Sequence, residues 1–333
     1  MSMKFNIIGT GSYLPDIVVT NEDMEGLVDT SDEWIRARTG IETRHFTSGE
    51  GGWYMAKQAA NRALEAAAIE ATELDAIIVT TVTPDFMCPT VSCILQHEIG
   101  ATNAFCIDIN VACPGFVYAL DIAAHYLLNP DYHKILVVGA EVLSSRTDFT
   151  DRNTCVLFGD AASAVILSDE GDGAMLAHIL GADGSGARSI RSGNNIPQHP
   201  FLPADWEEKW PNYCDWKTDR ITMDGADVYR FSVGIMPEMV NQLLAKTGLT
   251  MADIDYMIPH QANVRIIDAA AKRLKYPMEK MYTGIRKMGN TSSAGLGVGI
   301  DECIREGRMK KGDHVILTGF GGGLSYGSML LRL

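Results

Sequence analysis

The strongest constraint on this chain is that its last third restates, in the same order, a pattern of strands and helices set out in its first half. Residues 76–81 read as an apolar strand with a helix at 90–99, and residues 254–259 read as another with a helix over Val264–Leu274. Cys113 then falls 33 residues after Thr80, and Asn290 falls 33 residues after Met257. A period that long is not a solenoid. It implies an internal duplication in which strands alternate with helices, hence α/β layers around mostly parallel sheets. Two such halves packed together place equivalent strand ends around one shared cleft.

Within the first half, a strand over 105–111 runs through Asp108-Ile109-Asn110-Val111-Ala112 into Cys113, and then directly into a helix. Pro114 suits a first helical position, where its missing N–H costs nothing. Phe116, Leu120, Ala123 and Leu127 keep one apolar face at helical spacing. A cysteine at a helix N-terminus has its thiolate favoured by the dipole and by free N–H groups. The same pattern also fits an inert buried thiol, because free cysteine is among the most buried residue types.

The other expected elements are a strand at 4–9, a helix at 54–68, a strand at 134–139, and two strand-like runs within 154–167 around Phe158-Gly159-Asp160. In the last third, a helix follows Asn290-Thr291-Ser292-Ser293 and a strand occupies 314–319. Thr30-Ser31-Asp32-Glu33 reads as a capping box opening a short helix that Gly40 ends. Gly9-Thr10-Gly11-Ser12-Tyr13-Leu14 begins like a dinucleotide fingerprint, but the third glycine is missing and Pro15 interrupts where a helix should open. Between about 190 and 220, Pro197, Pro200, Pro203 and Pro211 interleave with Trp206, Trp210 and Trp216. That stretch reads as a long surface loop or lid, or equally as an oligomer contact. The division expected is a first half over 1–175, a connecting segment over 176–235 and a second half over 236–333.

Composition narrows the setting. Seven cysteines without C-x-x-C spacing argue against a disulfide framework and a zinc site, and read as reduced thiols. A net charge of −14 argues against nucleic acid or an anionic membrane as a partner. No long apolar run predicts a membrane span, and the first residues lack a signal-peptide pattern, so a cytoplasmic location is expected.

Three more signals fall at strand ends. His260 follows an apolar strand in Pro259-His260-Gln261-Ala262-Asn263, where a structural histidine is the competing reading. Asn290 looks like an N-cap. The run Gly319-Phe320-Gly321-Gly322-Gly323 is a flexible turn or an array of backbone N–H groups fit for an oxyanion. With Ser31-Asp32-Glu33-Trp34-Ile35, Arg38-Thr39-Gly40-Ile41, Ala112-Cys113, Gly115-Phe116 and Phe158-Gly159-Asp160, these motifs stand in an order that resembles the β-ketoacyl-acyl-carrier-protein synthase III enzymes of the thiolase-like condensing superfamily. The resemblance runs nearly end to end.

That resemblance implies a five-layered αβαβα fold, a homodimer, and a Cys-His-Asn triad of Cys113, His260 and Asn290. It implies that Cys113 takes an acyl group from acyl-coenzyme A, with the N–H groups of Cys113 and Gly322 holding the oxyanion. Malonyl-acyl carrier protein then loses carbon dioxide, and the resulting enolate, stabilised by His260 and Asn290, attacks the acyl-enzyme. Neither metal nor redox cofactor is implied. Trp34, Arg38 and Arg152 would bind coenzyme A, although a core tryptophan and solvated arginines explain the same residues. Arg265, Lys272 and Arg273, with Lys275, would dock the carrier protein on an otherwise acidic enzyme.

Two departures stand out. The position before Pro89, usually phenylalanine in this family and reaching across the dimer to close the acyl pocket, is Cys88, with Met87 or Phe86 as substitutes. A primer longer or bulkier than acetyl is therefore expected. The Pro/Trp segment is also longer than the family pattern. The competing functions are a secondary-metabolite condensing enzyme of the same fold and an inactive paralogue that binds acyl carriers.

Overall fold

The structure, a computed structural model, describes residues 3–193, 199–210 and 218–333. Pro197, Pro211, Cys214 and Trp216 lie outside the described residues. The elements that build the architecture are, in chain order, β1 (Asn6–Tyr13), α1 (Asp32–Thr39), α2 (Gly52–Ala67), β2 (Ala76–Thr80), α3 (Val91–Ile99), β3 (Phe105–Ile109) and α4 (Gly115–Tyr126). There follow β4 (Lys134–Glu141), β5 (Ala161–Ser168), β6 (Ala174–Ala182), α5 (Gly225–Thr247), β7 (Tyr256–Pro259), α6 (Val264–Leu274), α7 (Ala294–Arg305), β8 (His314–Phe320) and β9 (Ser325–Arg332).

The first sheet runs β1-β5-β4-β2-β3 and the second β6-β9-β8-β7, with Met3–Lys4 added outside β6. In the first, β2 is parallel to both β3 and β4, while β5 is antiparallel to β4 and β1. In the second, β7 and β8 are parallel, and β9 is antiparallel to β8 and β6. The two orders match strand for strand once β6 is set against β1, β7 against β2, β8 against β4 and β9 against β5. Where the first sheet has β3, the second keeps a single parallel bridge between Met257 and Met281. The duplication read from the spacing is therefore real.

Helices α2 and α3 cover the outside of the first sheet, α4 and α7 fill the space between the sheets, and α5 and α6 cover the outside of the second. This is the five-layered α/β fold the resemblance implies. Its central layer goes beyond a one-faced amphipathic helix. In α4, Val117, Ala119 and Ala124 are buried along with Phe116, Leu120 and Ala123, because a sheet lies on either side. Burying side chains of this size contributes about 1.5–3 kcal/mol each for the larger ones. Gly9 and Gly11 have a packing role: an added Cβ would strike the Ala63 and Ala59 carbonyls of α2, so this stretch of β1 is a close strand–helix approach and not a phosphate cradle.

Some expectations shift. Helix α1 starts one residue later than the capping-box reading: Ser31 is the N-cap, accepting from the Trp34 N–H at 3.1 Å, and Gly40 closes the helix at φ 81°. The first run of 154–167 is not a strand; Arg152–Cys155 is a helical turn, and Phe158 makes only a parallel bridge to Asn290. The stretch 176–235 is more than a connection. It holds most of β6, the counterpart of β1 that β9 needs as a partner, and α5 runs across its end. The Pro/Trp segment leaves from a short antiparallel pair, Ile190–Arg191 with Thr222–Met223, and Phe201 within it is 85% exposed. Among the described residues no helix is long and apolar enough to cross a membrane.

Candidate active site

A cavity of about 690 Å³ opens where the carboxyl ends of the parallel strands of both halves meet, lined by Cys113, His260, Asn290 and Gly321–Gly323 among others. Three of the four signals stand at strand ends, and the fourth is held by an isolated bridge. Cys113 follows β3, His260 follows β7, the glycine run follows β8, and Asn290 is held by a bridge to Phe158. The Phe158-Gly159-Asp160 motif serves that bridge: the Gly159 N–H donates to the Asn290 carbonyl at 3.1 Å, and the Asn290 N–H donates to the Leu157 carbonyl at 2.8 Å.

The turn at the nucleophile is tightly made. Ala112 adopts φ 50°, Pro114 is the N-cap of α4, and Cys113 stands one residue outside the helix. Gly321 packs against it so closely that an added Cβ would lie 2.9 Å from the Cys113 Cβ and 3.0 Å from both its N and Sγ. Gly115 leaves no room either, since a side chain there would strike Thr80 Oγ1. The thiol is not poised as a thiolate. Burial pushes the Cys113 thiol up to about 12, and the Glu141 charge adds to this. That direction is opposite to the lowered thiol value expected of a helix N-terminus, and its largest cause is desolvation at the cavity floor.

His260 is 2% exposed, and burial lowers its imidazole to about 3, so the ring is neutral at physiological pH. Its ring meets Phe320 edge-on at 5.3 Å, its backbone N–H donates to the Thr318 carbonyl at 2.7 Å, and its ring Nδ1 is buried without a partner among the described residues. Asn290 does not cap α7; Ser293 is that helix's N-cap. Its Oδ1 instead accepts from the Ser292 N–H at 2.9 Å, which leaves the amide nitrogen as the donor end of a cavity-lining group. The Gly322 N–H has no acceptor among the described residues, while the Gly321 N–H is used by the Ser325 carbonyl at 2.9 Å.

Sequence reasoning passed over what lies beneath this cluster. Glu141, at the end of β4, is fully buried. Its Oε2 accepts from the Val82 N–H (3.0 Å), Thr83 Oγ1 (3.1 Å) and Thr81 Oγ1 (3.3 Å), and its Oε1 from Ser293 Oγ (2.6 Å). The readable signal was a carboxylate closing the apolar run Leu136-Val137-Val138-Gly139-Ala140. Leu143, Leu157, Ile221 and Met223 also line the cavity, giving it apolar walls.

A second groove of about 490 Å³ continues outward from the cavity, sharing Leu157, Met223 and Gly225 with it and reaching Trp34. The Arg152 and Arg38 guanidinium carbons lie 4.9 and 5.9 Å from the Trp34 ring centroid, so the structure brings these three together. Arg265, Lys272 and Arg273 share the exposed side of α6. Lys272 pairs with Asp268 at 2.6 Å, Arg273 donates to the Val233 carbonyl, and Arg265 lies over Tyr229, which lines the cavity. Cys88 and Met87 are exposed, Met87 at 78%, and neither lines the cavity of its own chain.

A duplicated five-layered fold with a thiol at the strand-to-helix junction facing its seam is that of the thiolase-like condensing enzymes. Family models described as 3-oxoacyl-[acyl-carrier-protein (ACP)] synthase III match residues 107–184, and those for the C-terminal part match residues 244–333. The chain is 44% identical over 326 residues to a beta-ketoacyl-[acyl-carrier-protein] synthase III of Clostridium acetobutylicum, covering 98% of each chain. It is 44% identical over 332 residues to that of Geobacillus kaustophilus, covering 99% of each. The crystal structure of 3-oxoacyl-[acyl-carrier-protein] synthase III from Aquifex aeolicus VF5 superposes with a TM-score of 0.90 at 41% identity, covering 99% of this chain and 100% of that one. The chain belongs to the 3-oxoacyl-[acyl-carrier-protein] synthase III family, acyltransferases that carry out the initiating condensation of fatty-acid synthesis.

Proposed function

We propose that the chain condenses an acyl-coenzyme A primer with malonyl-acyl carrier protein through an acyl-Cys113 intermediate. The observation that carries this reading is the convergence of Cys113, His260 and Asn290 on one apolar-walled cavity. Cys113 attacks the thioester, and the N–H groups of Cys113 and Gly322 receive the tetrahedral oxyanion. Decarboxylation of the malonyl group then generates an enolate, whose oxygen accepts hydrogen bonds from neutral His260 and the Asn290 amide. A histidine lowered to about 3 serves here as a donor and not as an acid. Carbon dioxide leaves, so no strong base is required for this second step, and no metal or redox cofactor enters it.

Coenzyme A lies along the groove to Trp34, its adenine on the indole beside Arg38 and Arg152. The acyl carrier protein docks at α6, where Arg265 is the cation nearest the cavity mouth. The enzyme works as a cytoplasmic homodimer. In support, β3 is an edge strand with one side unpaired in its sheet, and Cys88 and Met87 are exposed where a second chain can use them. A small Cys88 at the acyl pocket leaves room for a primer longer or bulkier than acetyl.

Intact-protein mass spectrometry after incubation with acetyl- and medium-chain acyl-coenzyme A thioesters, with Cys113→Ala as control, tests nucleophile and primer together. Acylation of wild type alone, favouring the longer chains, is the expected result. A strict acetyl preference overturns the primer assignment, and carrier binding without any acylation identifies a scaffold instead. Product analysis with malonyl-acyl carrier protein separates this reaction from a secondary-metabolite condensation.

A further inference from the structure

An oxyanion donor helps a nucleophile only when the distance between them is fixed, and here the two belong to different halves of the molecule. Cys113 rides on the turn after β3, and Gly322 on the turn between β8 and β9. Ser325, the first residue of β9, reaches both turns. Its hydroxyl lies 2.7 Å from the Gly322 carbonyl and 3.1 Å from the Val111 carbonyl, two residues before the nucleophile. Both partners are acceptors, so the single hydroxyl proton is shared between them. The side chain is buried at the cavity wall. The backbone of the same residue holds the glycine turn. The Ser325 carbonyl accepts from the Gly321 N–H at 2.9 Å, and the Ser325 N–H donates to the Gly322 carbonyl. These bonds anchor the peptide before Gly321 and the peptide after Gly322, and so orient the one between them, whose N–H is that of Gly322. Any residue at 325 supplies those two bonds. The tie from the glycine turn to Val111 needs the hydroxyl.

We propose that Ser325 is a positioning residue for acylation: its hydroxyl sets the gap between the Cys113 sulfur and the Gly322 N–H by tying the nucleophile's turn to the glycine turn. The inference rests on Cys113 being the acylated residue and Gly322 an oxyanion donor. Ser325 acts through the two turns and not on the acyl group. Gly321 packs against Cys113 at the same junction, which keeps the turns from approaching further; the Ser325 hydroxyl keeps them from parting. Without that tie the sulfur and the N–H shift independently. The step that suffers is the one that needs both, formation of the tetrahedral oxyanion. A reaction of the same sulfur that builds no oxyanion is left unchanged.

Two reactions of Cys113 are therefore compared in wild type, Ser325→Ala and Ser325→Thr, each followed by mass spectrometry of the peptide that carries Cys113. One is single-turnover acylation by the acyl-coenzyme A that acylates wild type. The other is alkylation by iodoacetamide, in which the sulfur displaces iodide and no oxyanion forms. Ser325→Ala should acylate about 10- to 10²-fold more slowly, with alkylation at the wild-type rate. Ser325→Thr, which keeps the hydroxyl, should acylate like wild type. Wild-type acylation in Ser325→Ala overturns the proposal. So does a parallel fall in both reactions, which places the effect on the sulfur or on the fold. If Ser325→Ala does not fold, Ser325→Val beside Ser325→Thr makes the comparison at equal side-chain shape, and equal acylation by those two overturns the tie. If wild type forms no acyl-enzyme, or Cys113→Ala still forms one, the underlying function fails instead.

Discussion

Substituting Gly321 by alanine isolates the fit of the backbone against the nucleophile. Gly321 has φ 179°, extended backbone open to any residue, so Gly321→Ala carries no conformational strain of its own. The whole effect comes from the new Cβ, which would stand 2.9 Å from the Cys113 Cβ and 3.0 Å from its N and Sγ. Carbon contacts settle near about 3.5–4.0 Å, so Cys113 must retreat by about 0.5–1 Å. An overpacked contact of that kind destabilises by about 1–3 kcal/mol. A shift of about 1 Å in a reacting group slows chemistry about 10²-fold. The adjacent Gly322→Ala is the matched control: its Cβ would find Ala112 Cβ at 3.5 Å and Ile190 Cβ at 3.8 Å, ordinary contacts, and its N–H is retained. The assay is the rate of acyl-Cys113 formation, read beside Tm. Gly321→Ala should acylate about 10²-fold more slowly, and Gly322→Ala should stay within a few-fold of wild type. Equal rates in the two variants, or a worse defect in Gly322→Ala, would refute the account of how this turn holds the sulfur.

His260→Ala and Asn290→Ala should each lose at least about 10²-fold in condensation while acyl-enzyme accumulates; loss of acylation alone would mean the donors serve the first step. His260 also predicts a pH dependence of stability. Its imidazole titrates at about 3 when folded and near ~6.5 when unfolded, so the unfolded chain binds the extra proton between those values. The stability is present above pH 6.5 and lost as pH falls, at about 1.4 kcal/mol per pH unit. Denaturant midpoints from pH 6 to 4 should show that slope in wild type and a shallower one in His260→Gln. Trp34→Ala should raise KM for acyl-coenzyme A about tenfold, equivalent to ~1.4 kcal/mol, with kcat little changed; an unaltered KM would move the nucleotide elsewhere. Gly9→Ala should destabilise by about 1–3 kcal/mol through its clash with the Ala63 carbonyl, measured by urea denaturation, with no selective effect on acylation.

What the sequence disclosed was whatever is encoded locally or by order. The spacing of Thr80 to Cys113 and Met257 to Asn290 marked the two halves, and the resemblance gathered the residues that meet at the cavity. Apolar periodicity found α4 and α6 because their faces repeat at helical spacing. The misreadings have tertiary causes. Thr154 and Cys155 read as strand by composition, yet Asp151 caps them into a helical turn, its Oδ1 accepting from the Asn153 N–H at 3.0 Å. Asn290 read as a cap, but its backbone is drawn into the bridge with Phe158, so its side chain serves the turn before α7. The raised Cys113 value was invisible, since desolvation depends on walls supplied by both halves. Glu141 was overlooked because a lone carboxylate at a strand end is ordinarily solvated, and its four donors come from the 81–83 turn and from Ser293, 152 positions away.

The duplication also accounts for why the two halves contribute different chemistry from one scaffold. Ala112 and Ser292 hold nearly the same left-handed turn, φ 50° and 49°, each shortly before a central helix. A non-glycine residue in that region costs about 1–3 kcal/mol and persists only where its surroundings fix it. Here the helices that follow are sandwiched between sheets, which fixes both turns. In the first half the turn lifts Cys113 toward the cavity. In the second it sets the Ser292 N–H on the Asn290 Oδ1. The side chains diverged while the backbone device did not, so the distance between nucleophile and donors is governed by the seam between the halves. Substitutions that tighten or loosen α4 against α7, such as Gly297→Ala, where a Cβ would meet Ser163 and Phe116, should therefore disturb acylation and condensation together.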